Sequence, residues 1–368
     1  MEIVPVHFFL LAAYHLIFYR KFIENPFRMC TSELASTYFP FWRYLKGRIL
    51  FKDDIYYPYP ASIPFLSNFY PTHLLTSFLS QFLSLDNSFR LFSFHILIHS
   101  FFSSILSYFM FLQWYSPTAS LFGAISIGYM AYAIKPFTPS AMYTMCWIPG
   151  CFIKGIVGQL SLGMAFLGGY WPVLAYIFPF MGVSNPDCFK GLILAIPQII
   201  PFLWYWKKSV RYQQVINRKE GKVPLWRYLD LIIPNRTQNT INGVFWPEMA
   251  MYIGVIPFLM LKPTLIWIIG IVCSLTVQIQ RIQARALYLL SFSILMMAVN
   301  NDISIYLVFI QAFMLLQNSG IYPHFPFCQW WEKPSKLYKK YKETEWPNWS
   351  GYIQNKHIKW YEGGFSLK

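Results

Sequence analysis

The feature that most constrains this chain is a run of 25 residues, Leu91 to Tyr115, with no Asp, Glu, Lys or Arg in it. A helix needs roughly 20 mainly apolar residues to cross the hydrocarbon of a bilayer. This run meets that length, and it predicts a membrane span. The rest of the chain points the same way. Only 12% of the 368 residues are charged and 56% are hydrophobic, whereas a soluble domain carries about 25% charge. One residue in five is aromatic. A disordered chain, a nucleic-acid-binding globule and an ordinary soluble enzyme are excluded on these grounds.

Further apolar runs predict more spans. Val4–Tyr19 reads as a retained first span, because it has no basic leader and no small-residue cleavage site. Thr118–Ile134, after a tight Ser116–Pro117 turn, Ile156–Tyr170, Phe189–Trp206, Glu248–Leu261, Leu265–Gln280, Ala286–Val299 and Ile303–Leu316 follow. Leu74–Leu85 is a shorter apolar segment, and Phe137–Phe152 is too interrupted by proline to assign beyond a short or re-entrant helix. The expected fold is an all-α polytopic membrane protein of about 8–10 transmembrane helices over residues 1–320, with a polar, basic tail over 321–368.

Two polar loops interrupt the apolar pattern, 20–88 with seven Lys and Arg and 207–247 with eight. The chain has 30 Lys and Arg against 15 Asp and Glu, a net charge of +15. Such charge belongs near lipid phosphate or an anionic substrate, or simply on the rim of a membrane protein. With alternating spans, both loops and the tail fall on one side. The positive-inside rule assigns that side to the cytoplasm, although it counts mainly short loops.

The first loop holds the residues best suited to chemistry. Thr31-Ser32-Glu33 can open a helix lying on the membrane surface, with Tyr38, Phe39, Trp42 and Tyr44 on its aromatic face and Arg43, Lys46 and Arg48 toward phosphate. A carboxylate among aromatics and Arg at that depth suits a general base, since desolvation raises its proton affinity and Arg lowers it. Glu33 fits, and a helix-start acid held by the dipole is the plain alternative. Asp53–Asp54 is a poor joint site, because neighbours on extended chain point opposite ways. His95 and His99 share a helix face, which suits metal binding only with a third ligand. Hydrogen-bonded histidines inside a bundle are the plainer reading. Glu248 opens an apolar segment, where an acid is costly. The six cysteines have no metal-ligand spacing, no phosphate-cradling glycine loop is present, and no metal site is expected. Asn300-Asn301-Asp302 reads as a short turn.

An ordered series of short motifs resembles the bacterial GT-C membrane glycosyltransferases of the YfhO type. The series begins with Glu33 and Tyr38-Phe39-Pro40-Phe41, Trp42-Arg43, Pro64-Phe65-Leu66-Ser67-Asn68 and Phe69-Tyr70-Pro71-Thr72-His73. It continues with His95, Trp147-Ile148-Pro149, Pro197-Gln198…Pro201…Ser209-Val210-Arg211, and Glu248…Tyr252-Ile253-Gly254, covering about residues 31–260. Glu33 stands where the family carries Asp, and Thr37 where it carries Gln. The resemblance implies a shortened member of a GT-C-like fold in a bacterial cytoplasmic (inner) membrane, with surface helices in the large first loop. It implies transfer of a sugar from a polyprenyl-phosphate carrier to an acceptor hydroxyl outside the cytoplasm, with Glu33 as general base. Arg43, Arg48 and Arg211 are then the phosphate-side residues, Tyr38, Trp42 and Tyr70 stack on sugar, and His73, His95 and Glu248 line the substrate site. The expected partners are the bilayer and the lipid-linked sugar, with no nucleic acid. No cofactor is required with certainty, and a divalent cation at the phosphate stays open. The alternatives are a transporter or flippase of lipid-linked precursors, using the same groove without a base, and a structural protein.

Overall fold

The computed structural model describes residues 5–26, 52–53, 61–62, 71–130, 139–200, 225–233, 240–241, 244–245, 252–276 and 286–319. These residues form a mainly helical bundle. Its helices are α1 (Pro5–Phe18), α2 (Arg20–Glu24), α3 (Pro71–Ser80), α4 (Leu85–Leu112), α5 (Pro117–Tyr129), α6 (Pro139–Cys151), α7 (Ile156–Leu167), α8 (Trp171–Ser184), α9 (Ile256–Leu259), α10 (Leu265–Thr276), α11 (Leu287–Ala298) and α12 (Ile305–Leu315). Tight 3-10 segments run over Pro186–Ala195, Leu225–Leu231 and Leu316–Ser319. Two antiparallel ladders of two residues per strand pair Lys52–Asp53 (β1) with Ala61–Ser62 (β2), and Thr240–Ile241 (β3) with Val244–Phe245 (β4).

The bundle is organised around α4, against which α1, α3, α5 and α6 pack. Ser84 starts α4 by accepting a hydrogen bond from the Asn87 amide at 3.3 Å, and Asp86 lies in the first turn, where the helix dipole favours an acid. At the far end the chain reverses at Ser116. Its side chain caps α5 through the Ala119 amide, and Pro117 occupies a position where a missing N–H costs nothing. Helices α4 and α5 then run back together at very close range. A Cβ on Gly128 would lie 2.0 Å from Ser104 Oγ, so only glycine permits this approach. A second close seam joins α7 to Pro186–Ala195, where a Cβ on Gly191 would lie 1.8 Å from the Gln159 carbonyl oxygen.

Hydrogen bonds place several of the described connections at one of two ends. Near the start of α4, Ser93 donates to the Pro26 carbonyl (3.4 Å) and Ser88 donates to the Ser80 carbonyl (3.1 Å). Both ends of the first polar loop therefore join the bundle there. At the opposite end, Gln113 donates to the Phe152 carbonyl, Asn185 donates to the carbonyls of Cys151 and Ile153, and Ser116 N–H donates to Asn301 Oδ1. Lys262 and Asp302 pair at that same end. The turn over Asn300–Asp302 has the expected form, with Asn300 Oδ1 accepting from the Asp302 amide at 3.0 Å.

The expected spans fare unevenly. Val4–Tyr19, Leu91–Tyr115, Thr118–Ile134, Ile156–Tyr170, Leu265–Gln280, Ala286–Val299 and Ile303–Leu316 coincide with α1, α4, α5, α7, α10, α11 and α12, each close to its expected limits where described. Among the described residues, one helix, Asp86–Leu112, is long and apolar enough to cross a membrane, and six shorter apolar helices accompany it. Phe189–Trp206 is corrected: it is 3-10 through Ala195 and helical over 196–200, and it packs along α7. The helix before it, α8, falls in a stretch where no span was expected. Pro172 sits in its first turn, where proline is tolerated. Glu248–Leu261 is also corrected. From Tyr252 it is non-helical backbone followed by the single turn α9, with Gly254 at φ +87°.

Candidate functional site

Most of the residues expected to act, Glu33, Tyr38, Trp42, Arg43, Arg48, Tyr70, Arg211 and Glu248, lie outside the described residues, as does Asp54. Asp53 falls in β1, opposite Ala61. His73 falls in the first turn of α3. His95 is fully placed, on α4 two residues past the Ser93 bond that ties the chain leaving α2.

His95 belongs to a buried aromatic cluster. Its Nδ1 lies 3.0 Å from the Tyr143 hydroxyl of α6. His99 Nδ1 donates to the His95 carbonyl at 2.6 Å, and the two imidazoles meet edge to face with centroids 4.5 Å apart. About two turns beyond His95 along this face, Phe102 stacks on Trp147, centroids 6.0 Å apart and 18° between planes. The α4 segment with His95 and the α6 segment with Trp147-Ile148-Pro149, separate in sequence, are thus neighbours in space. The His95–His99 spacing serves this packing. Among the described residues no group of three His, Cys, Asp or Glu side chains is arranged to hold a metal.

A second set of buried polar side chains lies between α1, α4 and α5. Helix α1 turns one face inward, bringing His7, Leu11, Tyr14, His15 and Phe18 to the core. His7 Nδ1 lies 3.1 Å from the Tyr108 hydroxyl, and His15 Nδ1 lies 3.0 Å from the Tyr129 hydroxyl. Tyr19 shares a 2.6 Å hydrogen bond with Ser100, and Tyr14 donates to the Ala312 carbonyl at 2.8 Å. Tyr14 and Tyr129 meet edge to face at 4.7 Å. This set was not anticipated. The signal was present, since His7, Leu11, Tyr14, His15 and Phe18 recur at steps of three and four within an apolar run, the period of one helix face.

The third feature is the junction of α5, α12 and the non-helical chain at 252–255. Gln311 donates to Ser126 Oγ (3.2 Å) and to the Ile253 carbonyl (2.8 Å). Asn318 donates to the carbonyls of Tyr129 (2.9 Å) and Tyr252 (3.3 Å). The segment also pairs with the second polar loop, Ile253 N–H donating to the Leu231 carbonyl at 3.0 Å.

Among the described residues of the helices, charge lies at the two ends. Arg20, Lys21 and Glu24 follow α1, and Asp86 and Arg90 begin α4, at the end where the first loop attaches. Lys154, the Lys190–Asp187 pair and the Lys262–Asp302 pair lie at the other. Between residues 91 and 153 no described residue carries a formal charge. Asp230, in the 3-10 segment of the second loop, is buried. Glu24 beside Arg20 holds that guanidinium above its ordinary value, and burial raises the Tyr228 phenol. Cys146, Cys151, Cys188 and Cys273 are free thiols.

Comparison with known protein families, with characterised proteins and with solved structures finds no match to this chain.

Proposed function

We propose that the chain is a multi-pass protein of a bacterial inner membrane that transfers a sugar from a polyprenyl-phosphate carrier to an acceptor hydroxyl. The observation that carries the membrane part of this reading is the apolar exterior of the bundle, beside an interior that holds paired polar groups. Buried positions hold His7, His15, His95, His99, Gln311, Asn318 and many serines, while Phe9, Leu16, Ile98, Leu265, Tyr306 and Phe313 project outward. A protein in water exposes polar groups and avoids large apolar patches. In lipid, buried polar groups pair with one another and the surface is hydrocarbon. The charge-free length agrees. From Arg90 to Gln113, α4 rises about 34 Å at about 1.5 Å per residue, against a hydrocarbon thickness of about 30 Å. Of the shorter helices, α12 is lengthened by the 3-10 turn Leu316–Ser319.

The transfer itself rests on the sequence resemblance. It is supported by the arrangement of the ends, since both attachments of the Glu33 loop lie at the start of α4, where His95 and Tyr143 meet. In this reading Glu33 takes the acceptor proton as oxygen attacks the anomeric carbon. Arg43, Arg48 and Arg211 hold the departing lipid phosphate through paired N–H donors. Loss of a general base costs about 10²–10⁴ in rate, so Glu33→Gln reduces transfer of labelled sugar in membranes by that factor, while Asp53→Asn and Asp54→Asn leave it nearly unchanged. Retention of more than about a third of turnover in Glu33→Gln, far above that loss, removes Glu33 from the role. In this reading the loop lies outside the cytoplasm, as the resemblance implies. A cysteine at Ser62 is therefore labelled by an impermeant reagent in intact cells, and labelling only after permeabilisation reverses the orientation.

The non-helical crossing at 252–255 favours one other reading, a transporter of lipid-linked precursors, because discontinuous helices form the binding sites of many transporters. Such a protein keeps lipid binding and translocation in Glu33→Gln.

A further inference from the structure

We propose that residues 252–255 are a releasable segment, latched to the bundle by Gln311 and Asn318, that leaves its seat together with the Leu225–Leu231 turn bonded to it while α5, α11 and α12 stay intact. Four observations support it. The segment lies between the loop 207–247 and the turn α9, and its backbone makes no helical hydrogen bonds at Tyr252–Gly254. It nevertheless sits in the interior, Tyr252 1% and Ile253 0% exposed. Non-helical backbone at such depth persists only where protein groups satisfy it, and here side chains do so: Gln311 and Asn318 each donate to one of its carbonyls. Gly254 has φ +87°, a conformation that side-chain-bearing residues rarely adopt.

The latch is built for release. Each carboxamide also donates to a second acceptor on α5, Gln311 to Ser126 and Asn318 to the Tyr129 carbonyl. When the segment leaves, neither amide nitrogen becomes an orphan inside the bundle, so the hydrogen-bond cost of release is confined to the two carbonyls, and the rest is the unpacking of the buried Tyr252 and Ile253 side chains. The two carbonyls are carried by the moving chain and can reach water at the polar end, where an unpaired carbonyl is solvated. Buried donors left unpaired are what make most interior hydrogen bonds costly to break, and this junction avoids that. The bond from Ile253 to Leu231 has a separate consequence: the Leu225–Leu231 turn of the second loop moves with the released segment.

Hydrogen exchange read by mass spectrometry on the full chain in lipid nanodiscs tests the latch. Gln311→Leu removes the donor to Ile253 and fills the same space with hydrocarbon. Amides of 252–255 then exchange about fivefold faster, the size of one net hydrogen bond, with peptides from α5, α11 and α12 within a factor of about two. Ser126→Ala removes only the other acceptor and leaves 252–255 at the parent rate. Gly254→Ala gives the same acceleration by a different route, because its Cβ would lie 2.8 Å from Gln311 Oε1 at a positive φ. Unchanged exchange at 252–255 in both Gln311→Leu and Gly254→Ala overturns the proposal. So does equal acceleration across α5 and α12, which would make Gln311 a general cross-link of the bundle.

Discussion

Gly128→Ala tests the α4–α5 seam on which the bundle is built. In an exposed helix interior this change stabilises by about 1 kcal/mol, because alanine loses less conformational freedom. Here the new Cβ meets Ser104 at three atoms: Oγ at 2.0 Å, Cβ at 3.0 Å and the backbone Cα at 3.2 Å. The hydroxyl can rotate away, but Cβ and Cα move only if the helices part. Overpacking of this kind costs about 1–3 kcal/mol, so the net change is a loss of about 0–2 kcal/mol, read as a lower midpoint of thermal unfolding in detergent. The clash has one partner, and Ser104→Gly removes the two side-chain contacts. The double variant Gly128→Ala/Ser104→Gly therefore recovers part of the loss beyond additivity, since residues in contact couple by about 0.5–3 kcal/mol. Gly182→Ala is the control. Its nearest atom is Phe189 Cε2 at 3.5 Å, an ordinary contact, so it is neutral or stabilising. Gly128→Ala as benign as Gly182→Ala, or a strictly additive double variant, would refute the close packing of α4 on α5.

Three further outcomes follow from the hydrogen bonds. Asn185→Ala removes the donors to the Cys151 and Ile153 carbonyls, 2.9 and 2.8 Å away, and lowers stability by about 1–3 kcal/mol in denaturant unfolding. Tyr143→Phe removes the hydroxyl beside His95 and costs about 1 kcal/mol, and a double-mutant cycle with His95→Phe gives a non-zero coupling. Lys262→Ala changes stability by less than about 1 kcal/mol, because both partners of the Asp302 pair are largely exposed. A larger loss there would mean that the turn over Asn300–Asp302 depends on the ion pair.

Much of this architecture is legible in the sequence, and the failures have physical causes. The Ser116–Pro117 reversal was readable because a capping serine before a first-turn proline is a helix start whatever surrounds it. Pro139 and Pro172 also lie in the first turns of α6 and α8. The interrupted stretch Phe137–Phe152 forms the short helix allowed for it, whereas the apolar stretch of α8 was passed over. Glu248–Leu261 shows the opposite fault. Its apolar composition suggested a helix, but composition alone does not distinguish a helix from buried extended chain, and Gly254 with Pro257 was the local warning. The four-residue spacing of His95 and His99 was legible, and its plainer reading, hydrogen-bonded histidines inside a bundle, is the arrangement found. His7 and His15 were overlooked because the first apolar run was weighed for length and not for which face its polar residues share. The Gln311–Asn318 junction joins residues far apart in sequence, and no local pattern announces it.

The central claim, that the outward apolar surface of this bundle lies in lipid, is tested most directly by spin labels placed singly at Leu16, Ile98, Val272 and Phe309, all exposed, with labels at Arg20 and Lys262 as end markers. Collision rates with oxygen and with a water-soluble nickel chelate are measured by electron paramagnetic resonance in reconstituted bilayers. The account predicts high oxygen and negligible chelate access at the four apolar positions, with chelate access at the two ends. Free chelate access at Leu16, Ile98, Val272 and Phe309 would contradict it.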